Sequence, residues 1–177
     1  KALAAIETAR ASNPDDVGLI ITAANIYFEL DNKEAFKLAM SEAIEKEPNN
    51  PVLYYNLGVV SGELGEKEDA VSYYEKSIEL DPSNENSYLN LVALILDGEQ
   101  EIVNEMNNLG TSRADNLRYD ELKKVREDLY KQCVPILKDL IAINNNVEAI
   151  RTLMNIYGTL GDNPGYVEMR NLLDQQE

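Results

Sequence analysis

The sequence contains no histidine, and Cys133 is its only cysteine. Zinc sites are built mainly from these two residue types, and catalytic triads commonly use histidine as the general base. The composition therefore excludes typical zinc sites, histidine-based triads and an internal disulfide, and cysteine usage does not indicate a cellular compartment. The carboxylates do not follow the D-x-D-x-D-G spacing of a calcium loop. We expect neither a bound metal nor a cofactor.

The sequence also lacks the short motifs of common enzymes, among them G-x-x-x-x-G-K-[ST], G-x-S-x-G and H-E-x-x-H. Close carboxylate pairs such as Glu68-Asp69 fall on predicted exposed helix turns, where adjacent like charges indicate solvation rather than acid–base chemistry. We therefore expect no catalytic residues and no enzymatic activity.

Long hydrophobic runs are absent too. No apolar stretch approaches the roughly 18 residues needed to span a bilayer, so we expect a soluble chain without membrane insertion. No stretch resembles a signal peptide, and the chain begins at Lys1 rather than methionine. We expect it to be a processed or trimmed piece of a longer protein.

Basic residues are scarce. The chain has 16 Lys and Arg against 32 Asp and Glu, a net charge of −16, and residues 13–96 hold 16 acidic residues but only 5 basic ones. Such a surface repels phosphate backbones and anionic lipid heads, which argues against nucleic acid and membrane-surface ligands. It suits a basic partner, although the acidity has a simpler alternative role in keeping the protein soluble.

Prolines mark a regular period. Pro14, Pro48 and Pro82 stand 34 residues apart, and each is followed by the start of a similar predicted helix pair. The segment between the last two reads Tyr54-x2-Leu57-Gly58-x2-Ser61, then Ala70-x3-Tyr74-x2-Ser77. It resembles the tetratricopeptide repeat (TPR) pattern W-x2-L-G-x2-Y…A-x3-F…P. The resemblance implies an all-α fold, a right-handed α-solenoid of TPR helix pairs.

The period predicts one TPR array over residues 1–177. Its parts are the second helix of a half repeat at 1–13, repeat 1 at 14–48, repeat 2 at 49–82, repeat 3 at 83–146, and a degenerate C-terminal repeat at 147–177. Phe36 in repeat 1 stands where the pattern has a small residue. The aromatic and small positions are expected to form the core, because a repeat cannot otherwise bury its faces.

The third unit breaks the period. From Pro82 to Asn145 there are 63 residues, 29 more than one period. The extra chain keeps apolar residues three or four apart on both sides of Gly110-Thr111-Ser112. This spacing predicts one extended antiparallel helical hairpin at about residues 97–132, protruding from the solenoid. Pro135, inside the returning helix, predicts a kink.

The insertion carries a further similarity. Tyr119-Asp120-Glu121-Leu122-Lys123, followed by Pro135-Ile136-Leu137, resembles a stretch shared by a subgroup of often exported bacterial TPR proteins. That resemblance implies an exported or periplasmic location, with a cytoplasmic location as the alternative.

TPR proteins typically bind peptides on the concave face, which the first helix of each unit lines. Two features recur on those predicted faces here: asparagines, whose amides can pair with a peptide backbone, and acidic residues near the helix ends. For both sets the alternative is a solvated face without a binding role. The expected groove residues are Asn25, Asn56, Asn90, Asn155, Tyr55, Glu29, Glu63 and Asp97.

The best-known TPR ligand, the acidic C-terminus of heat-shock chaperones, needs basic groove residues. The corresponding positions hold Ile21, Asn86 and Asn90, so a terminal carboxylate would not be neutralised. We therefore expect a non-catalytic interaction scaffold for a neutral or basic peptide segment of a partner protein. The alternatives are assembly through the 97–132 hairpin and an ancillary role in a larger enzyme. The oligomeric state is left open.

Overall fold

The computed structural model describes residues 1–176, and all the regular secondary structure within them is α-helical. The prediction of an all-α fold is confirmed. The helices in chain order are α1 (Ala2–Ser12), α2 (Val17–Glu29), α3 (Lys33–Lys46), α4 (Pro51–Glu63), α5 (Lys67–Leu80), α6 (Glu85–Ile95), α7 (Glu99–Asn108), α8 (Arg113–Asn144), α9 (Val147–Leu160) and α10 (Asn163–Asp174).

Local chemistry explains where many of these helices begin. Helices α2, α3, α4, α9 and α10 each start after an Asp or Asn whose side-chain oxygen accepts a backbone N–H of the first turn. Helix α8 starts with a capping box, in which Ser112 and Asp115 each accept a backbone N–H of the other. These side chains satisfy N–H groups that a helix end leaves without a partner.

The turns inside three helix pairs share one backbone feature. A residue with positive φ follows the first helix of the pairs α2–α3, α4–α5 and α9–α10: Asp31 at 56°, Gly65 at 78° and Gly161 at 74°. This left-handed conformation ends a helix within one residue and is least costly for glycine. The short turns let the two helices of each pair run antiparallel and in contact.

The described chain divides into two compact units, one from Lys1 to Ser87 and one from Tyr88 onward. In unit 1, α2 packs on α3, α4 packs on α5, and α3 contacts α4. The buried core that joins α2, α3 and α4 consists of Ile20, Ala24, Phe36, Ala39, Met40, Ala43, Leu53, Leu57 and Val60.

Small residues control the packing of α4 on α5. A Cβ added at Gly58 would lie 2.7 Å from the ring of Tyr74, which is closer than a Cβ approaches a non-bonded atom in real structures. Ser77, one turn further along α5, is fully buried, and its hydroxyl donates to the carbonyl of Pro51 at 3.0 Å. The buried hydroxyl of Ser87 donates in turn to Ser77 at 2.9 Å. The small and hydroxyl side chains thus fit where a larger residue would clash.

In unit 2, α7 and the first part of α8 form an antiparallel hairpin. Arg118 on α8 pairs with Glu105 on α7 at 2.7 Å, and Arg126 further along α8 pairs with Glu99 nearer the start of α7, also at 2.7 Å. Helix α8 continues through Pro135 as one helix and packs on α9, which packs on α10. The predicted kink at this proline stays a prediction, as do the repeat boundaries; Glu177, the last residue of the predicted fourth repeat, lies outside the described residues.

Among residues 1–176, no helix is both long enough and apolar enough to cross a membrane.

The contact of Gly58 with Tyr74 generates the first testable prediction. We expect Gly58→Ala to lower the free energy of unfolding by about 1–3 kcal/mol, because the added methyl group forces the Tyr74 ring out of its packed position. Chemical denaturation followed by circular dichroism measures the change.

The matched control is Gly158→Ala on α9, where the nearest side-chain atom to the added Cβ, on Tyr166, lies at 3.5 Å, an ordinary contact. Alanine stabilises a helix relative to glycine by up to about 1 kcal/mol, so this variant should be as stable as the parent or slightly more stable. Equal stability of Gly58→Ala and the parent would show that the close approach does not constrain the pair.

Candidate functional site

An open cleft of about 270 Å³ lies in unit 1 between the first helices of two neighbouring pairs. Helix α2 contributes one wall and α4 the other, and α3 supplies one aromatic ring. We call it the α2–α4 cleft. Its lining residues are Asn25, Phe28, Phe36, Tyr55, Asn56, Val59 and Val60.

The surface inside the α2–α4 cleft is largely apolar and aromatic. Phe28 is 45% exposed and its ring centroid lies 5.6 Å from that of the buried Phe36, in a tilted arrangement. On the opposite wall the Tyr55 ring lies 6.1 Å from the ring of Tyr74. A large exposed phenylalanine beside buried apolar residues is a surface that gains free energy when a ligand covers it.

Two side-chain amides face this apolar surface. Asn25 is exposed and Asn56 is half-buried, and neither side chain hydrogen-bonds another residue within 1–176. Each amide offers one acceptor oxygen and two N–H donors. The cleft therefore combines an apolar contact surface with hydrogen-bonding groups that a ligand can use.

The acidic residues of the predicted groove fall in both units. Glu63, at the end of α4, makes an ion pair with Lys33 Nζ of α3 at 3.0 Å, and this hydrogen bond raises the pKa of Lys33. Glu29 is exposed at the end of α2, whereas Asp97 belongs to unit 2. Part of the predicted negative charge in unit 1 is thus already compensated by a lysine of the neighbouring helix.

The predicted asparagines also fall in both units. Asn25 and Asn56 line the α2–α4 cleft together with Tyr55, while Asn90 lies on α6 in unit 2 and Asn155 lines a different cleft. Sequence reasoning did not identify Phe28 and Phe36 as cleft residues. The available signal was Phe36 itself, a large ring at a position where the TPR pattern has a small residue.

The cleft that contains Asn155 has a volume of about 390 Å³ and lies within unit 2. We call it the α7–α9 cleft. The inserted hairpin provides one side of it and α9 the other. Its lining residues are Leu96, Glu99, Gln100, Val103, Arg126, Tyr130, Thr152, Asn155, Ile156 and Thr159.

A hydrogen-bonded network connects the two inserted helices inside this cleft. One oxygen of Glu99, Oε1, accepts from Arg126 Nε at 2.7 Å and also from the Tyr130 hydroxyl. The Arg126 guanidinium carbon lies 5.2 Å from the centroid of the Tyr130 ring, within the range of a cation–π contact. Burial, with the bond to Glu99 as the second cause, raises the pKa of Tyr130, so the hydroxyl remains a donor.

Cys133 lies one helical turn beyond Tyr130 and is fully buried. Burial, together with the negative charge of Glu99, raises the pKa of its thiol to about 12. A nucleophilic or metal-binding cysteine acts as a thiolate, which this environment disfavours. Within residues 1–176 there is also no group of three or more Cys, Asp or Glu side chains placed to hold a metal ion.

Comparison with known proteins agrees with this geometry. Residues 51–84 match the sequence model of the family described as tetratricopeptide repeat. The crystal structure of MamA superposes with a TM-score of 0.64 and 15% sequence identity, over 99% of this chain and 81% of MamA. The chain contains a tetratricopeptide repeat at residues 51–84. Its fold class is that of TPR solenoids, as the sequence predicts.

Other TPR structures are also similar. A tetratricopeptide repeat protein from Parabacteroides merdae ATCC 43184 has a TM-score of 0.52 at 17% identity, over 95% of this chain and 69% of its own. The first TPR of Spaghetti (RPAP3), bound to an HSP90 peptide, has a TM-score of 0.50 at 18% identity, over 82% of this chain and 95% of its own. At these identities the likeness shows the fold alone. No curated protein matches the sequence significantly.

The environment of Cys133 generates a prediction. At about pH 8, we expect the native thiol to react with Ellman's reagent at least about a thousandfold more slowly than an exposed thiol, because a pKa near 12 rather than 9 reduces the thiolate fraction by that factor. Absorbance of the released thionitrobenzoate measures the rate, and denaturant should restore fast labelling.

The control is an exposed thiol, Ser41→Cys in a Cys133→Ala background. The raised pKa of the Cys133 thiol also affects the stability of the fold. Above about pH 9 the thiol of Cys133 ionises in the unfolded chain but stays protonated in the folded one. Ionisation therefore favours the unfolded chain, and the contribution of Cys133 to the free energy of unfolding falls as the pH rises between 9 and 12. Native labelling as fast as the control would contradict the buried, protonated state.

Proposed function

We propose that this chain is a non-catalytic protein-interaction module and that unit 1 holds a neutral or basic segment of a partner protein in the α2–α4 cleft. The observation that carries the proposal is the pairing of an exposed apolar surface with two side-chain amides that have no partner within residues 1–176. TPR domains generally act as protein-binding scaffolds, which agrees with this role.

The apolar surface provides the affinity. An anchoring side chain of the partner segment packs between Phe28 on one wall and Tyr55 and Val59 on the other. Covering apolar surface contributes roughly 25 cal/mol per Å² before the costs of association. A cleft of about 270 Å³ accommodates one large or two small apolar side chains.

The asparagines orient the segment. Asn25 and Asn56 stand on opposite walls, so their amides can donate to carbonyl oxygens and accept from N–H groups of one bound backbone. Backbone pairing of this kind is independent of the ligand sequence. The apolar anchor and the charge of the segment then determine which partner binds.

Charge favours a neutral or basic segment. Residues 1–87 contain 17 acidic and 7 basic residues, and Glu29 stands exposed at the end of α2. An acidic segment would be repelled on approach, and the positions that would neutralise a terminal carboxylate hold Ile21, Asn86 and Asn90. The proposal for this chain therefore differs from the HSP90 peptide complex of RPAP3. Nucleic acid is disfavoured for the same electrostatic reason.

An array of capped peptides of about 12 residues, varied in net charge and apolar content, tests the proposal. We expect basic and neutral peptides with an apolar anchor to bind more tightly than acidic ones, and Asn25→Ala/Asn56→Ala to weaken the binding of the basic peptides by about tenfold or more. Each lost hydrogen bond removes about 0.5–1.5 kcal/mol. Fluorescence polarisation measures the affinities.

The matched control replaces two exposed asparagines outside the cleft, Asn116→Ala/Asn171→Ala, and should bind as the parent does. Both double variants are checked by thermal unfolding. Retained affinity for basic peptides in the folded Asn25/Asn56 variant, or a preference for acidic peptides, would refute this assignment.

One observation favours a second function, assembly through the hairpin. Leu117 and Val125 are 59% and 49% exposed and stand eight residues apart on α8, about two helical turns, on one face. If this face joins copies of the chain, Leu117→Ser/Val125→Ser should shift the protein to a smaller species in sedimentation velocity.

Two exposed apolar residues of unit 1, in Leu38→Ser/Val52→Ser, provide the matched control and should leave the sedimentation coefficient unchanged. A parent chain that sediments as a monomer across the concentration range excludes this second function.

A further inference from the structure

We propose that the inserted hairpin builds a second peptide-binding site, the α7–α9 cleft, which takes an uncharged polypeptide segment by pairing its backbone amides with Glu99 and Arg126. This site lies wholly within unit 2 and does not depend on the α2–α4 cleft. It assigns a role to the segment that interrupts the repeat.

The two ion pairs of the hairpin differ in how many of their oxygens and nitrogens take part in hydrogen bonds between the two side chains. Arg118 and Glu105 form a two-bond pair, with Nε donating to Oε1 at 2.7 Å and Nη2 donating to Oε2 at 3.2 Å. Arg126 donates to Glu99 through Nε alone, and both donors to Glu99 use the same oxygen. The pair inside the cleft is therefore the one with hydrogen-bonding capacity left over.

The open groups match a peptide bond. Within residues 1–176, Glu99 Oε2 accepts no hydrogen bond and the terminal nitrogens of Arg126 donate none to the carboxylate. The side chains of Arg126 and Glu99 are 25% and 23% exposed, so a ligand can reach them. A backbone N–H can donate to the free carboxylate oxygen while a nearby carbonyl accepts from the guanidinium.

The charge of the cleft points to an uncharged segment. Among the described lining residues, Arg126 and Glu99 alone carry charge and offset each other, and the other polar ones are neutral: Gln100, Tyr130, Thr152, Asn155 and Thr159. A small recess beside it adds Lys123 and Glu127, again one of each sign. A charged side chain would lose hydration there without a compensating net charge.

Apolar residues on both sides of the cleft complete the site. Val103 lies on α7 and Leu96 just before its start, and Ile156 lies on α9. The cleft volume of about 390 Å³ is within the range of ligand pockets. The arrangement suits a short stretch with small apolar and amide or hydroxyl side chains, oriented by Asn155 and the open ion pair.

The capped-peptide array, applied to the full chain, tests this site separately from the first. We expect a class of peptides with no net charge whose binding survives Asn25→Ala/Asn56→Ala. Arg126→Met and Asn155→Ala should each weaken this class by about tenfold. Its affinity should change little between low and high salt, whereas basic peptides in the α2–α4 cleft should weaken as salt rises.

Arg118→Met is the matched control, because it removes an α7–α8 ion pair of the same type outside the cleft. It should leave peptide affinity unchanged even if it lowers the melting temperature. Asn155 is exposed and takes no part in an ion pair, so its variant keeps the test informative if Arg126→Met unfolds. The proposal is overturned if no uncharged peptide binds, if all binding disappears with Asn25→Ala/Asn56→Ala, or if Arg118→Met and Arg126→Met weaken binding equally.

Discussion

The close approach of the two helices in a pair is the constraint on which the candidate sites depend. In α4–α5 this approach requires Gly58, because a Cβ there would meet the Tyr74 ring at 2.7 Å. In α9–α10 the same contact is reversed: Gly165 of the second helix faces Tyr157 of the first, again with 2.7 Å to an added Cβ. Each tyrosine fills the space that the glycine leaves open, so the pair is close-packed and the opposite face of its first helix stays available. Tyr74 also lies beside Tyr55, so the packing of one pair supports an aromatic wall of the α2–α4 cleft.

The sequence predicts what depends on local periodicity. The helical class, the TPR pattern and the facing of Asn25, Asn56 and Tyr55 into a common cleft all follow from positions within a repeat, because a residue's angle on a helix is set by its spacing from its neighbours. Which residues lie opposite a helix face depends on tertiary packing and not on spacing within the repeat. Asn155 occupies the repeat position expected of a groove residue, yet it faces the inserted hairpin, and no count of residues within the fourth unit predicts that. Phe28 was missed for a related reason: its 45% exposure depends on how α4 sits against α2.

The two clefts use the same kinds of side chain for different electrostatic purposes. In unit 1, an acidic sequence surrounds a cleft whose described lining residues carry no charge, so under the proposal long-range attraction would favour basic partners before contact. In unit 2, a compensated ion pair lies inside the cleft, where its field is short-ranged and directional. Under the two proposals, one repeat scaffold presents two unlike binding surfaces, because the insertion brings polar groups that the repeat itself lacks.

The energetics of the Arg126–Glu99 pair bear on why it is present. A partly buried ion pair loses hydration on folding and contributes little net stability, and the hairpin already has a two-bond pair in Arg118–Glu105. Tyr130 donates to the oxygen that Arg126 already uses, which leaves the second carboxylate oxygen directed elsewhere. A purely structural pair gains most when both oxygens and two nitrogens are engaged, as they are at Glu105. The incomplete pairing at Glu99 therefore leaves polar groups that the proposed peptide segment can use, whereas those of Glu105 are engaged within the hairpin.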